Sequence, residues 1–315
     1  MMLVDNPGVD RQNYVEYAPP RRNWLLSQVR SVLSMMGAGA TALATIGHAW
    51  RVAPFQVEYP QIDMPLRGLA GSFSGFRIIQ FTDLHTGFRT PTWFLRQVVA
   101  RINEMKPDLV AVTGDLITHV KPHVKEAVDI VAGLRGRVVV TFGNHDYTRN
   151  FHPWSGSDLA DEFQGLLSAR GIPLLRNQAM SIDHPDGRLW IVGLEDLWSG
   201  RFSPQRALAG VISCDEPVIA LSHNPDTVFA LEQCGIQWVL AGHTHGGQIR
   251  VPLAGPLVLP VRHKQFAFGL FEVGRTRMYV SRGVGFRVRV RFRCRPEVPC
   301  FRLTPAGNRT QGSFC

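Results

Sequence analysis

The chain has 315 residues, of which 45% are hydrophobic and 19% charged, and this composition excludes wholesale disorder. Its length is sufficient for one large domain or two small ones. The formal net charge of +9 favours an anionic partner, but no RNA- or DNA-binding motif is present, so nucleic acid is not expected. The five cysteines are scattered without a CxxC pair, which argues against a zinc knuckle or a disulfide framework.

An uncharged segment near the N-terminus predicts a transmembrane helix. Residues 1–31 form a polar tail, and residues 32–50 then contain no Asp, Glu, Lys or Arg. This run is about as long as a bilayer core requires. More arginines precede it (Arg11, Arg21, Arg22 and Arg30) than closely follow it (Arg51 and Arg67). The positive-inside rule therefore places the N-terminus in the cytoplasm and the chain after Trp50 on the extracytoplasmic, periplasmic side of the cytoplasmic membrane.

The same region offers alternatives to a membrane anchor. The sequence from Arg21 to Leu26 resembles a twin-arginine export signal, in which paired arginines are followed by bulky apolar residues. Ala42-Leu43-Ala44 is a candidate cleavage site, so the chain could instead be exported and become soluble after cleavage. A buried Ala/Gly-rich helix of a soluble protein is the remaining alternative.

The rest of the chain predicts an α/β domain over residues 76–305, between a linker at 51–75 and a C-terminal tail at 306–315. The linker contains one predicted edge strand, from Phe55 to Tyr59. Within the domain, apolar runs predict strands at 77–81, 109–113, 138–142, 189–194, 218–221, 238–241, 269–273, 278–281 and 300–303. Helical spacing predicts helices at 93–105, 124–134, 158–170 and 226–233.

Polar loops rich in Asp, His and Asn follow five of the predicted strands. They are Asp83-Leu84-His85, Gly114-Asp115, Gly143-Asn144-His145-Asp146, Ser222-His223-Asn224 and Gly242-His243-Thr244-His245. Strand ends in an α/β sheet open onto one edge, so we expect these loops to converge. Their oxygen and imidazole donors suit Mn, Fe or Zn. Each loop alone is weak evidence, and Ser222-His223-Asn224 alone would favour a helix cap, but the five together predict a binuclear metal site.

The segment from about Phe76 to Leu303 resembles the calcineurin-like metallophosphoesterases, whose signature D-x-H, G-D, G-N-H-[DE], single H and G-H-x-H is present in this order. The resemblance implies an α/β fold built as a four-layer αββα sandwich, here preceded by a signal or membrane-anchor helix. Because of this N-terminal segment, the chain is similar to the exported or anchored branch of the family. The sequence departs from the G-D-x-x-D pattern of many family members, because Thr118 stands where the second acid would be.

The resemblance also implies a role for each motif residue. Asp83, His85 and His245 are expected to hold the first of two divalent ions. Asn144, His223 and His243 are expected to hold the second ion, with Asp115 bridging the two. His145 is expected to donate a proton to the leaving group, and Asp146 to orient the ring of His145.

The implied activity is hydrolysis of a phosphate ester, as a phosphodiesterase or pyrophosphatase, by a hydroxide that two metal ions generate at neutral pH. Membrane attachment favours an envelope-derived or lipid-linked substrate. One alternative is a UDP-2,3-diacylglucosamine pyrophosphatase-type hydrolase of the lipid A pathway, which would require a cytoplasm-facing site. The alternative from another functional class is a non-hydrolytic scaffold protein with the same fold. Such a protein is expected to lack some of the metal ligands. The sequence makes no prediction of oligomeric state.

Residues outside the motifs give weaker predictions. Arg282 and His152 are candidates for substrate binding. Five arginines alternate with apolar residues near the C-terminus: Arg287, Arg289, Arg291, Arg293 and Arg295. This pattern predicts either a solvated strand edge or a surface that binds phosphate or anionic lipid. Glu195-Asp196 forms either a structural turn or part of the pocket.

Overall fold

The computed structural model describes residues 22–87, 89–118, 121–147, 159–211 and 215–306. The chain forms two compact units, residues 1–48 and residues 49–315. Helix α1 (Arg22–Arg51) accounts for the described part of the first unit and ends in the second.

A helix therefore covers the predicted membrane segment at 32–50, but the membrane-spanning prediction is not supported. Across the described ranges, no helix is both long enough and apolar enough to span a membrane. The segment contains many Gly, Ala, Ser and Thr residues, which lower its hydropathy. Arg21 of the predicted twin-arginine pair lies outside the described residues.

The second unit alternates strands with helices, as the sequence predicts. The strands are β1 (Gln61–Leu66), β2 (Arg77–Phe81), β3 (Leu109–Thr113), β4 (Arg137–Thr141), β5 (Gln178–His184), β6 (Gly187–Gly193), β7 (Val218–Leu221), β8 (Trp238–Ala241), β9 (Arg250–Val251), β10 (Gly255–Pro256), β11 (Gly269–Val273), β12 (Thr276–Val280) and β13 (Cys300–Pro305). The helices are α2 (Thr92–Glu104), α3 (Val124–Ala132), α4 (Leu159–Ser168), α5 (Pro204–Leu208) and α6 (Val228–Gln233).

Two mixed sheets form the centre of this unit. One has the strand order β1-β13-β2-β3-β4 and the other β11-β12-β8-β7-β6-β5. Strands β2, β3 and β4 run parallel, as do β6, β7, β8 and β12. Because the carboxyl ends of parallel strands share an edge, the loops after β2, β3 and β4 leave from one side of the first sheet. The loops after β7 and β8 leave from one side of the second sheet.

Alternation of side chains along each strand explains the layers. Ile78 faces a core that includes residues from both sheets, whereas its neighbour Ile79 faces a core shared with α2, α3 and α4. The other face of the second sheet packs on α5 and α6, and Ala220 of β7 and Leu231 of α6 belong to one apolar cluster there. The order is thus helices, sheet, sheet, helices. Burial on both faces accounts for the continuous apolar runs in the sequence.

The structure differs from the sequence prediction in the segment before residue 76. The predicted strand from Phe55 to Tyr59 is absent from the described residues there, since Ala53–Phe55 forms a 3-10 turn and Glu58 makes a single bridge to Glu297. The edge strand is instead β1, which pairs parallel with β13. The predicted linker therefore supplies a strand of the first sheet.

Candidate metal centre

The five polar loops lie at the carboxyl ends of β2, β3, β4, β7 and β8, as the sequence predicts. Several of their residues have left-handed backbone conformations, with φ values of 55°, 45°, 52°, 72° and 50° at Asp83, His85, Asp115, His243 and His245. Non-glycine residues adopt this region at an energetic cost, and such strain is concentrated at functional sites. The conformation of these loops is therefore determined by the arrangement of their side chains.

Four buried side chains form the first cluster of donors: Asp83, His85, Asp115 and His245, whose ligand atoms all lie within 4.8 Å of one another. His85 Nε2 is 3.0 Å from His245 Nε2 and 3.5 Å from Asp115 Oδ2. His245 Nε2 is 3.3 Å from Asp83 Oδ1. Two imidazoles and two carboxylates thus converge on one buried point.

A second cluster shares Asp115 with the first. The ligand atoms of Asp115, His223 and His243 also lie within 4.8 Å of one another. Asp115 Oδ2 is 3.2 Å from His223 Nε2. Asn144 begins the short turn after β4, and its buried Oδ1 has no hydrogen-bond partner among the described residues. The structure therefore brings together six of the seven side chains that the sequence predicts as ligands, and Asn144 directly precedes His145, whose backbone N–H donates to Asp115.

The outer hydrogen bonds of two imidazoles fix their tautomers. His223 Nδ1 lies 2.8 Å from the Thr113 carbonyl, and His243 Nε2 lies 2.7 Å from the Pro260 carbonyl. A carbonyl can only accept, so each of these nitrogens carries a proton, and in the neutral imidazole the other ring nitrogen has the lone pair that would bind a metal ion. His223 Nε2 is buried and lies 3.2 Å from the shared Asp115 carboxylate. Such paired outer contacts are typical of metal-binding histidines, and the donor set fits divalent cations.

Burial and mutual charge control the protonation of the two clusters. Burial lowers the pKa of His85 and of His243 to about 3, which keeps both imidazoles neutral. Burial also lowers the pKa of His245. Neutral imidazole is the form that binds metal. Burial raises the pKa of Asp83 to about 7, so a nearby cation would favour the ionised form of this carboxyl group.

The central pair, Asp115 and His223, behaves differently. Burial opposes the charged form of each group, but their mutual attraction outweighs it. The pKa of Asp115 is therefore lowered and that of His223 is raised. The carboxylate shared by both clusters is the most strongly ionised acid of the site.

His145 lies beside the clusters, with its ring centroid 5.0 Å from that of His85. Its backbone N–H donates to Asp115 Oδ1 at 2.9 Å. The carboxyl group of Asp146 accepts from the backbone N–H groups of Gly143, Leu116 and Ile117. These contacts hold the backbone of the His145 loop against the loop after β3. That Asp146 orients the ring of His145 stays a prediction.

The glycines of two motifs permit close contact between loops. A Cβ atom on Gly143 would overlap Asp115 Oδ1 and the Asp115 backbone nitrogen. A Cβ atom on Gly242 would overlap Asp83 Oδ2 and Thr82 Oγ1. Side chains at these positions would therefore displace ligand carboxylates.

Other predicted residues lie away from the clusters or outside the described ranges. The Arg282 guanidinium donates to Glu297 Oε2 at 2.8 Å and to Glu58 Oε2 at 2.7 Å, so its charge is used within the fold. Its contact with substrate stays a prediction, and His152 lies outside the described residues. Arg291 is fully buried and donates to several backbone carbonyls, including that of His245, whereas the other four arginines of the run are exposed.

Sequence reasoning missed two residues at the site. Thr118 Oγ1 lies 2.9 Å from His85 Nδ1, so the residue that departs from the G-D-x-x-D pattern is the outer partner of a ligand. Trp198 is half-exposed, and its ring centroid lies 4.6 Å from that of His243. The Trp198 backbone N–H donates to Asp196 Oδ1, which gives Asp196 the role of a turn cap. Only the departure at Thr118 could have been noticed in the sequence.

Comparisons with known proteins agree with this geometry. The calcineurin-like phosphoesterase family matches residues 76–247. YkuE, an uncharacterized metallophosphoesterase of Bacillus subtilis (strain 168), is 31% identical over 283 residues, which cover 87% of this chain and 96% of YkuE. The phosphodiesterase YaeI of Escherichia coli (strain K12) is 33% identical over 231 residues, covering 72% of this chain and 82% of YaeI.

A third relative is the UDP-2,3-diacylglucosamine pyrophosphatase LpxG of Chlamydia muridarum (strain MoPn / Nigg). It is 27% identical over 320 residues, and the match covers 86% of this chain and 96% of LpxG. The family match extends over more than half of the chain and includes every motif loop from β2 to β8. The chain belongs to the calcineurin-like phosphoesterase family.

Proposed function

We propose that the chain is a binuclear metal-dependent hydrolase of phosphate diesters. The observation that carries this proposal is the shared carboxylate of Asp115. Its Oδ2 lies 3.5 Å from His85 Nε2 in one buried cluster and 3.2 Å from His223 Nε2 in the other. One acid placed between two sets of donors suits a pair of divalent ions, of which Mn, Fe and Zn match the donor types.

The roles of the side chains follow from their positions. Asp83, His85 and His245 would hold one ion, and Asn144, His223 and His243 the other. When bound, the two ions supply a water of lowered pKa and neutralise charge on the phosphoryl oxygens. His145 lies at the edge of the first cluster, where its ring can donate a proton to the departing oxygen. Asp146 keeps this ring in place through the backbone of its loop.

The relatives support two substrate classes. YaeI is named a phosphodiesterase, which supports a general phosphodiester substrate. LpxG is named a UDP-2,3-diacylglucosamine pyrophosphatase, which supports a lipid-linked pyrophosphate as the second candidate. Release of UMP from UDP-2,3-diacylglucosamine would separate the second candidate from the first. The complete set of donors favours hydrolysis over a non-hydrolytic scaffold.

The side of the membrane on which the site operates is part of the proposal. An extracytoplasmic site that acts on an envelope substrate requires that residues 32–50 carry the chain across the membrane, and the excess of arginines before residue 32 would set that orientation. The LpxG-type reaction would need a cytoplasmic site instead. Fusing a reporter that is active only outside the cytoplasm to the C-terminus distinguishes these two cases.

The experiment that tests the proposed function is hydrolysis of bis-p-nitrophenyl phosphate by the full chain, with and without added Mn²⁺. We expect turnover that requires metal and is lost in Asn144→Ala. Asn103→Ala is the matched control, because the Asn103 amide bonds Gly133 near the opposite ends of the strands. A folded protein that binds two ions but hydrolyses no diester would refute the proposed activity.

A further inference from the structure

A hairpin directly after the last metal-binding loop exposes apolar side chains. It consists of β9, β10 and their flanking residues, 249–258. Leu253 is fully exposed, Leu257 is 62% exposed and Val258 is 73% exposed. Scattered exposed apolar residues are normal, but several on one short hairpin mark an interaction surface.

The tip of this hairpin is also strained. Leu253 has a φ of 68°, a conformation that non-glycine residues rarely adopt. The strain does not bury the side chain, since Leu253 remains wholly in solvent. A strained backbone that presents a leucine to water gives the fold no packing benefit, so a partner outside the fold is the better explanation.

A second segment, residues 287–293, lies against the hairpin. The Arg250 backbone N–H donates to the Phe292 carbonyl at 3.0 Å, and Gln248 Nε2 donates to the Val288 carbonyl at 2.7 Å. Val288 is 62% exposed. Arg287, Arg289 and Arg293 on the same segment are exposed as well. Neither segment contains Asp or Glu, so the arginines have no local counter-charge in the sequence.

Aromatic residues extend this surface. The guanidinium of Arg289 lies 5.1 Å from the centre of the Phe55 ring, and the Phe55 ring lies 5.3 Å from that of Trp93, which is more than half exposed. The Arg291 backbone N–H donates to the Ala49 carbonyl at 2.9 Å, next to the exposed Trp50. Half-exposed tryptophans with an apolar body and a polar N–H are typical of membrane interfaces.

We propose that residues 249–258 and 287–293, here called the hairpin–arginine surface, dock the second unit onto an anionic lipid bilayer. Leu253, Leu257, Val258 and Val288 would enter the interfacial region of the bilayer, while the exposed arginines contact lipid phosphates. Arg suits this contact because its planar guanidinium binds two phosphate oxygens at once. The hairpin begins two residues after Gly247, so docking would place the metal centre close to the bilayer.

The pattern of the surface favours a bilayer over other partners. Nucleic acid would use the arginines but leave the exposed leucines and valines in water. A second copy of the chain would bring two sets of unpaired arginines together, which is unfavourable. An anionic bilayer satisfies both the apolar side chains and the positive charges. The docking does not depend on hydrolysis, so it is testable in the inactive Asn144→Ala protein.

The experiment measures co-sedimentation of the full chain with vesicles of phosphatidylcholine, alone or mixed with phosphatidylglycerol. We expect binding to require phosphatidylglycerol and to weaken at least about tenfold in the double variant R289E/R293E. We expect a comparable loss in L253S/L257S. The controls are R135E/R137E, which reverses the same charge around the start of β4, and L270S, which removes an exposed leucine on β11. Both controls should bind like the unmodified chain.

A direct measurement separates the hairpin from α1, which could bind lipid independently. A polarity-sensitive fluorophore is attached at Leu253→Cys or, as the control, at Leu270→Cys, with the labelled unmodified chain as background. Vesicles should protect only the label at position 253 from aqueous quencher. Equal quenching at both positions would overturn the proposal. It would also be overturned if L253S/L257S converts a dimer into a monomer, or if R289E/R293E loses only binding to polynucleotide.

Discussion

The backbone N–H of His145 donates a 2.9 Å hydrogen bond to Oδ1 of Asp115. The other carboxylate oxygen of Asp115 faces both donor clusters. One side chain therefore sets the distance between the two clusters and also positions the loop of the proposed proton donor. This coupling would link metal binding to the proposed proton transfer from His145.

Asp115→Asn removes the negative charge of this side chain but keeps its shape. The amide oxygen can still accept from the His145 N–H, but the negative charge between the clusters is lost. We expect bound metal to fall from two ions per chain to at most one, and hydrolysis of bis-p-nitrophenyl phosphate to fall about a hundredfold or more. Metal content is measured by mass spectrometry. The control is Asp161→Asn, on the exposed face of α4. Two bound ions and full activity in Asp115→Asn would contradict the bridging role of Asp115.

Asp146→Ala should reduce stability as well as activity. The substitution leaves the buried backbone N–H groups of Gly143, Leu116 and Ile117 without their acceptor. We expect the free energy of unfolding, measured by urea denaturation, to fall by about 2–4 kcal/mol. His145→Ala should lower activity with little loss of stability. If the two variants are equally stable, Asp146 acts on the ring of His145 rather than on the loop.

Gly143→Ala tests the close contact between the loops after β3 and β4. The φ of Gly143 is −101°, which alanine adopts easily, so any defect comes from overlap with Asp115. We expect loss of metal binding and a decrease of about 1–3 kcal/mol in the free energy of unfolding.

The matched control is Gly165→Ala in α4, where an added Cβ atom meets nothing within 4 Å. Alanine is favoured over glycine inside a helix by about 0.5–1 kcal/mol, so this variant should be slightly more stable than the unmodified chain. Equal behaviour of the two variants would show that the loops can separate without consequence.

The strands that carry the site could be predicted almost to the residue. The predicted strands at 77–81, 109–113, 218–221 and 238–241 coincide with β2, β3, β7 and β8. These strands are almost entirely buried, so each is mostly apolar, and each is followed within two residues by Gly, Asp or His. The ligand loops are equally visible, because metal chemistry permits few residue types.

Elements with weaker burial could not be predicted in this way. β5 contains polar and half-buried residues, and its only fully buried position is Ile182. β1 was misplaced because pairing with β13, far along the chain, determines its position. The contact between Trp198 and His243 depends on the packing of two separate loops, and no local pattern signals it. Tertiary contacts determine all three features.

Removal of metal should destabilise the second unit. In the described part of the chain, Asn144 Oδ1 is buried without a hydrogen-bond partner, so a bound ion would satisfy it. A ligand at a hundredfold excess over its Kd stabilises the folded state by about 2.7 kcal/mol. We expect chelation to lower Tm and added Mn²⁺ to restore it, with a smaller response in Asn144→Ala. An identical Tm with and without chelator, in a protein that had two ions bound, would contradict this prediction.

Trp198→Ala should weaken substrate binding more than it slows the chemical step. The ring is 51% exposed and lies roughly perpendicular to that of His243, with the two centroids 4.6 Å apart, so Trp198 adjoins a predicted metal ligand and is open to solvent. Stacking of an aromatic group on a tryptophan contributes about 1–3 kcal/mol, which corresponds to a rise in KM of about fivefold or more for bis-p-nitrophenyl phosphate. We expect kcat to change less than about twofold, and Trp198→Phe to restore most of the affinity. If kcat falls with KM unchanged and metal is lost, Trp198 supports His243 and does not contact substrate.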